Sequence, residues 1–120
     1  MSYGDFTEMP VWQEGFKLLV KIYRMTKSYP KEEKFGLVSD MRRAANSIVH
    51  NIAEGFGRFE ARDKTRFYKI SRGSCFELMS QLMVSGALLY IDKDAEKTHI
   101  RTCRKIIDDL NALIKTAETR

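Results

Sequence analysis

The sequence predicts an all-α protein, an antiparallel up-down-up-down four-helix bundle forming one domain over residues 1–120. Three observations lead there. Only two prolines, Pro10 and Pro30, interrupt the chain, and proline is the residue a helix interior tolerates least. Apolar residues recur at helical spacing in four separate stretches. The connections between those stretches are short, which makes sequential helices antiparallel neighbours.

The first helix is expected over about 11–28, with Trp12, Phe16, Leu19, Ile22, Tyr23 and Thr26 on one face and Lys17, Lys21, Arg24 and Lys27 elsewhere. Tyr29-Pro30 ends it, because the residue before proline is pushed out of the α region. The second helix is expected over about 34–55. Leu37, Met41, Ala44, Ala45, Ile48, Ile52 and Gly55 fall on one arc, and Arg43, Ser47, His50 and Glu54 on another. Gly55 and Gly57 supply positions where the helix can turn left-handed and stop.

The third helix, about 61–91, changes character halfway. Its first half is basic: Arg62, Arg66, Lys69 and Arg72 lie opposite the apolar line of Phe67, Ile70, Ser74 and Leu78. From Leu78 to Ile91 there is no charged residue, and apolar side chains point in every direction. A helix that is apolar all round is buried all round. A lone bundle leaves each helix a solvent face, so the arc of Tyr68, Cys75, Met79, Gly86 and Tyr90 is read as a subunit interface. A membrane span is rejected, since this uncharged run falls short of the roughly 20 residues required. Asp92-Lys93-Asp94 makes a charged turn, and the fourth helix, about 95–117, points Cys103, Ile106, Ile107, Leu110, Leu113, Ile114 and Ala117 inward.

Lysine plus arginine number 21 against 16 acidic residues, a net charge of +5, which is a mild bias towards polyanions. Cys75 and Cys103 lack metal-ligand spacing and read as reduced core thiols. The start, Met-Ser-Tyr-Gly-Asp-Phe, has no basic n-region or apolar h-region, so a cytoplasmic protein is expected.

Catalytic chemistry has little to hold on to. Glu96 and His99 form one Glu-x-x-His, whereas carboxylate-bridged di-iron bundles use that motif on two helices with a further glutamate on each of the others. His50 and Glu54 are spaced for an intrahelical pair, with no third metal ligand evident. No phosphate loop, nucleophile motif or dinucleotide fingerprint is present. The expectation is a non-enzymatic protein without cofactor or metal. Arg43, Asn51, Glu54, Ser74, Glu77 and Gln81 lie at the margins of apolar faces and are expected to pair across helices as a structural network, direct ligand contact being the alternative.

Several blocks together resemble one family. They are Trp12-Gln13, Ile22-Tyr23 and Pro30; Gly36-Leu37; Arg42-Arg43-Ala44-Ala45 with Ser47-Ile48; Asn51-Ile52-Ala53-Glu54-Gly55 with Gly57-Arg58; Arg66-Phe67; and Gly73-Ser74 with Glu77-Leu78. In this combination the chain resembles the four-helix-bundle proteins encoded in intervening sequences of bacterial 23S ribosomal RNA genes. Family members usually place a serine soon after the Gly-Arg pair; here Phe59, Glu60 and Ala61 follow, and Asp63 is expected to cap the third helix instead. The resemblance implies a closed homopentamer. It also implies relatives among accessory proteins of diversity-generating retroelements, which join a reverse transcriptase and bind nucleic acid through a basic surface.

Two functions follow. In the first, Arg58, Arg62, Arg66, Lys69 and Arg72 form one basic stripe and Lys97, Arg101, Arg104 and Lys105 another, and a ring repeating them binds RNA or DNA by avidity. The stripes lack interleaved exposed aromatics, so binding is expected to be backbone-directed. In the second, the ring is an interaction scaffold for a protein such as a reverse transcriptase, and the charge serves recruitment only. The target nucleic acid, the genomic context and the physiological role are not legible in the residues.

Overall fold

Pro10 opens the first helix, α1 (Pro10–Thr26), at the position where its missing N–H is no loss. The computed structural model describes residues 3–119. Ahead of α1 a short 3₁₀ turn over Phe6–Glu8 is capped by the Asp5 side chain, which accepts from Thr7 N at 2.7 Å. The core face of α1 is Val11, Gly15, Leu18, Ile22 and Thr26. This corrects the expected aromatic face: Phe16 is 47% and Tyr23 38% exposed, while Trp12 stacks on Phe16 at 5.1 Å between ring centroids. The helix ends at Thr26, short of Ser28, because Thr26 Oγ1 bonds back to the Ile22 carbonyl at 2.7 Å. Arg42 from the next helix donates to Thr26 Oγ1 and to the Tyr23 carbonyl, satisfying the acceptors a helix end leaves open.

After a 3₁₀ turn over Lys31–Glu33, α2 (Leu37–Phe56) begins behind Gly36. It starts later than expected because Glu33 Oε1 accepts from Leu37 N at 3.2 Å and fixes the entry there. The expected arc is buried from Met41 onward, with Ala44, Ala45, Ile48, Ile52 and Gly55, while Leu37 at its start is half-buried. The helix does not finish left-handed, for Gly57 has φ −75°. Lys64 instead donates to the Gly55 and Phe56 carbonyls at 3.2 and 2.9 Å, a cation at the negative end of the helix dipole.

Glu60 occupies the cap position of α3 (Ala61–Ala87) and makes no side-chain cap bond, so Asp63 lies in the first turn and does not cap. The helix stops at Ala87, short of the expected Ile91. Leu89 takes φ 64°, and Leu89 N and Tyr90 N turn back to the Gly86 and Ser85 carbonyls, the paired bonds of a Schellman ending. Asp92 caps α4 (Lys93–Glu118) by accepting from Ala95 N at 2.8 Å.

The described residues form four helices and no strand. α2 packs on α1 and α3, and α4 packs on α3 and α1, with no α1–α3 or α2–α4 contact. The core between them is filled by Leu18, Ile22, Ile48, Leu78, Leu82 and Leu110, all fully buried. Small residues bring α2 and α3 close. Ser71 Oγ donates to the Ile48 carbonyl at 2.8 Å, Ser74 Oγ to Ser47 Oγ at 2.7 Å, and a Cβ on Gly55 would meet Tyr68 Cε1 at 2.6 Å. At one end, Tyr90 Oη donates to Glu33 Oε2 at 2.9 Å and Tyr29 packs on the Tyr90 ring, joining the α1–α2 and α3–α4 connections. No helix of the described residues is long and apolar enough to cross a membrane.

Candidate nucleic-acid interface

The first basic stripe divides in two. Arg62 and Arg66 stand exposed one turn apart on the outer face of α3, and neither forms an ion pair among the described residues. Arg58, in the α2–α3 turn, pairs with Glu54 at 3.1 Å. Arg58 and Arg66 both lie over the Phe67 ring, with guanidinium carbons 4.7 and 4.4 Å from its centroid, a favourable cation–π geometry. Farther along, Lys69 reaches Glu118 at 3.0 Å and Arg72 donates to Asn111 Oδ1 at 2.8 Å. These two hold α3 to the last turns of α4.

The second stripe is not gathered with the first. Lys97, Arg101, Arg104 and Lys105 are exposed on α4, and Lys105 faces Glu14 of α1 at 3.6 Å. Lys97 lies about 30 Å of helix away from Glu118, the residue that meets Lys69. The α4 group therefore runs from the far end of the bundle at Lys97 to mid-helix at Arg104 and Lys105, away from the α2–α3 turn.

The absence of aromatics expected from the sequence is corrected. Phe59 is 98% exposed in the turn between Arg58 and Arg62. The signal was present in its position: a phenylalanine between two helices, next to Gly57-Arg58, has no core face to join.

The arc expected at a subunit interface is corrected as well. Tyr68, Cys75, Met79 and Gly86 are buried within the chain's own fold, and Tyr90 is half-buried against Tyr29. α3 packs against both α2 and α4, so the arc it buries is wide. A Cβ on Gly86 would lie 1.9 Å from Glu96 Oε1, which makes this glycine a contact with α4. The apolar residues left exposed on α3 are Ile70, Phe76, Met83 and Val84, with Leu88 at its C-cap. Between them Gly73, Ser80 and Ala87, also exposed, recur every seventh residue.

The expected cross-helix polar network is largely local. Arg43 pairs with Asp40 at 2.7 Å, Asn51 donates to the Ser47 carbonyl and hydroxyl, and Glu54 pairs with Arg58. These bonds stay on one helix or its adjoining turn. Ser74 alone of the six crosses, to Ser47. Glu77 is exposed, and Gln81 Oε1 is buried without a partner.

His99 is half-buried and its Nδ1–H donates to the Ala95 carbonyl at 2.8 Å. Burial holds its imidazole below the ordinary range, the Ala95 bond opposes this, and the Lys21 charge adds to the lowering. Burial pushes the Cys103 thiol up to about 12, and raises Cys75 further with help from neighbouring Cys103. Among the described residues no group of three His, Cys, Asp or Glu side chains is placed to hold a metal ion. A notch of ≈ 260 Å³ between the N-terminal residues and α4, bordered by Met9, Val11, Leu113 and Asp109, is mostly apolar.

No curated protein matches this chain. Its fold is similar to that of a crystal structure described as a protein with unknown function from the S23 ribosomal protein family of Bacteroides thetaiotaomicron VPI-5482. The TM-score is 0.79 at 19% identity, covering 88% of this chain and 98% of that one. That likeness is one of fold. The family model for the 23S rRNA-intervening sequence protein matches residues 7–112, the greater part of all four helices, and the chain belongs to this family.

Proposed function

We propose that this chain is a non-enzymatic, oligomeric protein of the cytoplasm that binds the backbone of RNA or DNA through the α2–α3 corner. The observation that carries the reading is the grouping of Arg58, Arg62 and Arg66, of which only Arg58 has a carboxylate partner among the described residues. Guanidinium groups left without a carboxylate partner are available to phosphates. Lys69 and Arg72 are engaged by α4 and contribute less, and the α4 group, of which Lys105 faces Glu14 of α1, is not gathered at this corner. The cytoplasmic assignment is supported by two buried, unpaired thiols.

The up-down-up-down order is supported by contacts that run from the end of one helix to the start of its neighbour: Thr26 with Arg42, Met41 with Ser85 and Lys69 with Glu118. Assembly into a ring of the homopentameric type is supported by the outer face of α3. Its small residues Gly73, Ser80 and Ala87 alternate with Phe76 and Met83 at a heptad interval, the spacing of a helix seam. Met83→Glu is expected to lower the native mass to that of the subunit; an unchanged mass refutes the seam. Met79→Glu, by contrast, would charge the subunit core.

The binding test is a salt series with a structured ribosomal RNA fragment and a DNA duplex, using wild type and the Arg62→Gln/Arg66→Gln/Lys69→Gln variant. Steep loss of affinity with salt in wild type, and its absence in the variant at equal native mass, is the expected result. Equal binding by both proteins sinks the reading. Binding by neither favours a second reading, in which the ring is a scaffold for a protein partner such as a reverse transcriptase and the charge serves recruitment only.

A further inference from the structure

We propose that the α2–α3 corner takes an unpaired base of single-stranded nucleic acid, stacked on Phe59, with its flanking phosphates on Arg62 and Arg66. The proposal rests on the nucleic-acid reading above and names the substrate class of that same corner.

Phe59 is 98% exposed, the most exposed of the chain's exposed large apolar side chains. It projects from a turn whose two sides are already fixed. On one side, Lys64 ties the α2 end by donating to the Gly55 and Phe56 carbonyls. On the other, Arg58 from the turn and Arg66 from α3 both lie over the Phe67 ring. Two guanidinium groups held at one ring repel each other, and a phosphate placed near them relieves that repulsion. Because both are already oriented, little side-chain freedom is lost when the anion arrives.

The chemistry of the occupant follows from having a bare aromatic ring at Phe59 followed by two guanidinium groups without carboxylate partners, Arg62 and Arg66, on successive turns of α3. An apolar protein surface covering Phe59 and the adjoining turns of α3 would also bury Arg62 and Arg66, which have no carboxylate partner among the described residues, and a buried unpaired charge is costly. A second copy of this chain packed on Phe59 about a two-fold axis would bring the same arginines face to face. A duplex keeps its bases stacked on one another and offers Phe59 only sugar and phosphate. A nucleotide of an unpaired strand presents a flat π face and an anionic link side by side, and aromatic stacking of this kind is tolerant of base identity.

The test measures anisotropy of a labelled mixed-sequence single strand and of the duplex of that sequence at low salt, with native mass recorded for every variant. Phe59→Ala is expected to weaken single-strand binding about tenfold and to leave duplex binding within about twofold. Phe59→Trp is expected to retain single-strand binding. Arg62→Gln/Arg66→Gln is expected to weaken both substrates. If Phe59→Ala binds like wild type while the arginine variant fails, the stacking site is overturned and the backbone reading stands. Equal loss on both substrates, or a fall in native mass, assigns Phe59 to another role and also overturns it. If wild type binds neither substrate, both readings fall together.

Discussion

Gly55→Ala probes the tightest approach between α2 and α3. An added Cβ would lie 2.6 and 2.9 Å from two carbons of the Tyr68 ring, and that ring is only 4% exposed, so it has no room to swing away. Alanine in place of glycine within a helix gains at most about 1 kcal/mol. Overpacking a well-filled core costs about 1–3 kcal/mol. The clash wins, and the expected net loss is about 1–2 kcal/mol, which lowers Tm by about 4–8 °C in a chain of this size. Thermal and urea unfolding at one fixed protomer concentration measure it, since assembly makes the midpoint concentration-dependent. Gly73→Ala is the control for the helix contribution in the dissociated subunit, because nothing in the subunit lies within 4 Å of its added Cβ and it there gains up to about 1 kcal/mol, whereas in the assembly it lies on the proposed seam. Tyr68→Leu should relieve the clash, so the double-mutant cycle should return a favourable coupling of about 1 kcal/mol or more. A Gly55→Ala protein as stable as wild type, or more so, would refute the argument.

Three further outcomes are expected. Leu89→Gly should raise stability by about 1 kcal/mol, because a left-handed leucine costs about that much and its side chain is 87% exposed and loses little packing; an unmoved urea midpoint counts against the Schellman assignment. At pH 8 a thiol at about 12 is ionised in only about one molecule in ten thousand. Neither cysteine should therefore gain mass with iodoacetamide until the protein is unfolded, and alkylation of the native chain would contradict their burial. His99 carries its proton less readily folded than unfolded, so the unfolded state binds more protons. Its contribution is full above the unfolded value of about 6.5 and is lost as pH falls towards the lower folded value. Urea unfolding at pH 7.5 and 5.5 should show that loss in wild type and a smaller one in His99→Gln; identical slopes would remove His99 from the account.

The α2 arc from Met41 to Gly55 and the inward row of α4 are legible in the sequence because aliphatic and small residues have one way to be useful on a helix. The first helix is less so. Trp12, Phe16 and Tyr23 resemble core residues by hydropathy, yet Gly15 and Leu18 face the core, since Gly15 lets Val49 of α2 approach to within contact. α3 carries apolar residues on two arcs, and spacing alone does not rank them. Its contact with both α2 and α4 decides which arc turns inward, and that is a property of the assembled bundle. The left-handed ending falls on Leu89, where a search for glycine finds nothing. Phe59 was missed because an aromatic is ordinarily counted towards a core.

The Tyr90–Glu33 bond has a practical consequence for handling the protein. It binds two of the three interhelical connections together at one end. The other end holds the α2–α3 turn, the last turn of α4 against Lys69, and the first described residues, Tyr3 and Met9, which border the same notch as Thr116. The last turn of α4 and the notch thus lie at the same end of the bundle as the α2–α3 turn that carries Phe59 and the arginines. A reporter attached at that end stands nearer the surface it is meant to observe than one at the clasped end. The exposed turn at Leu88–Leu89, at the clasped end, is the attachment point that leaves the arginine corner clear.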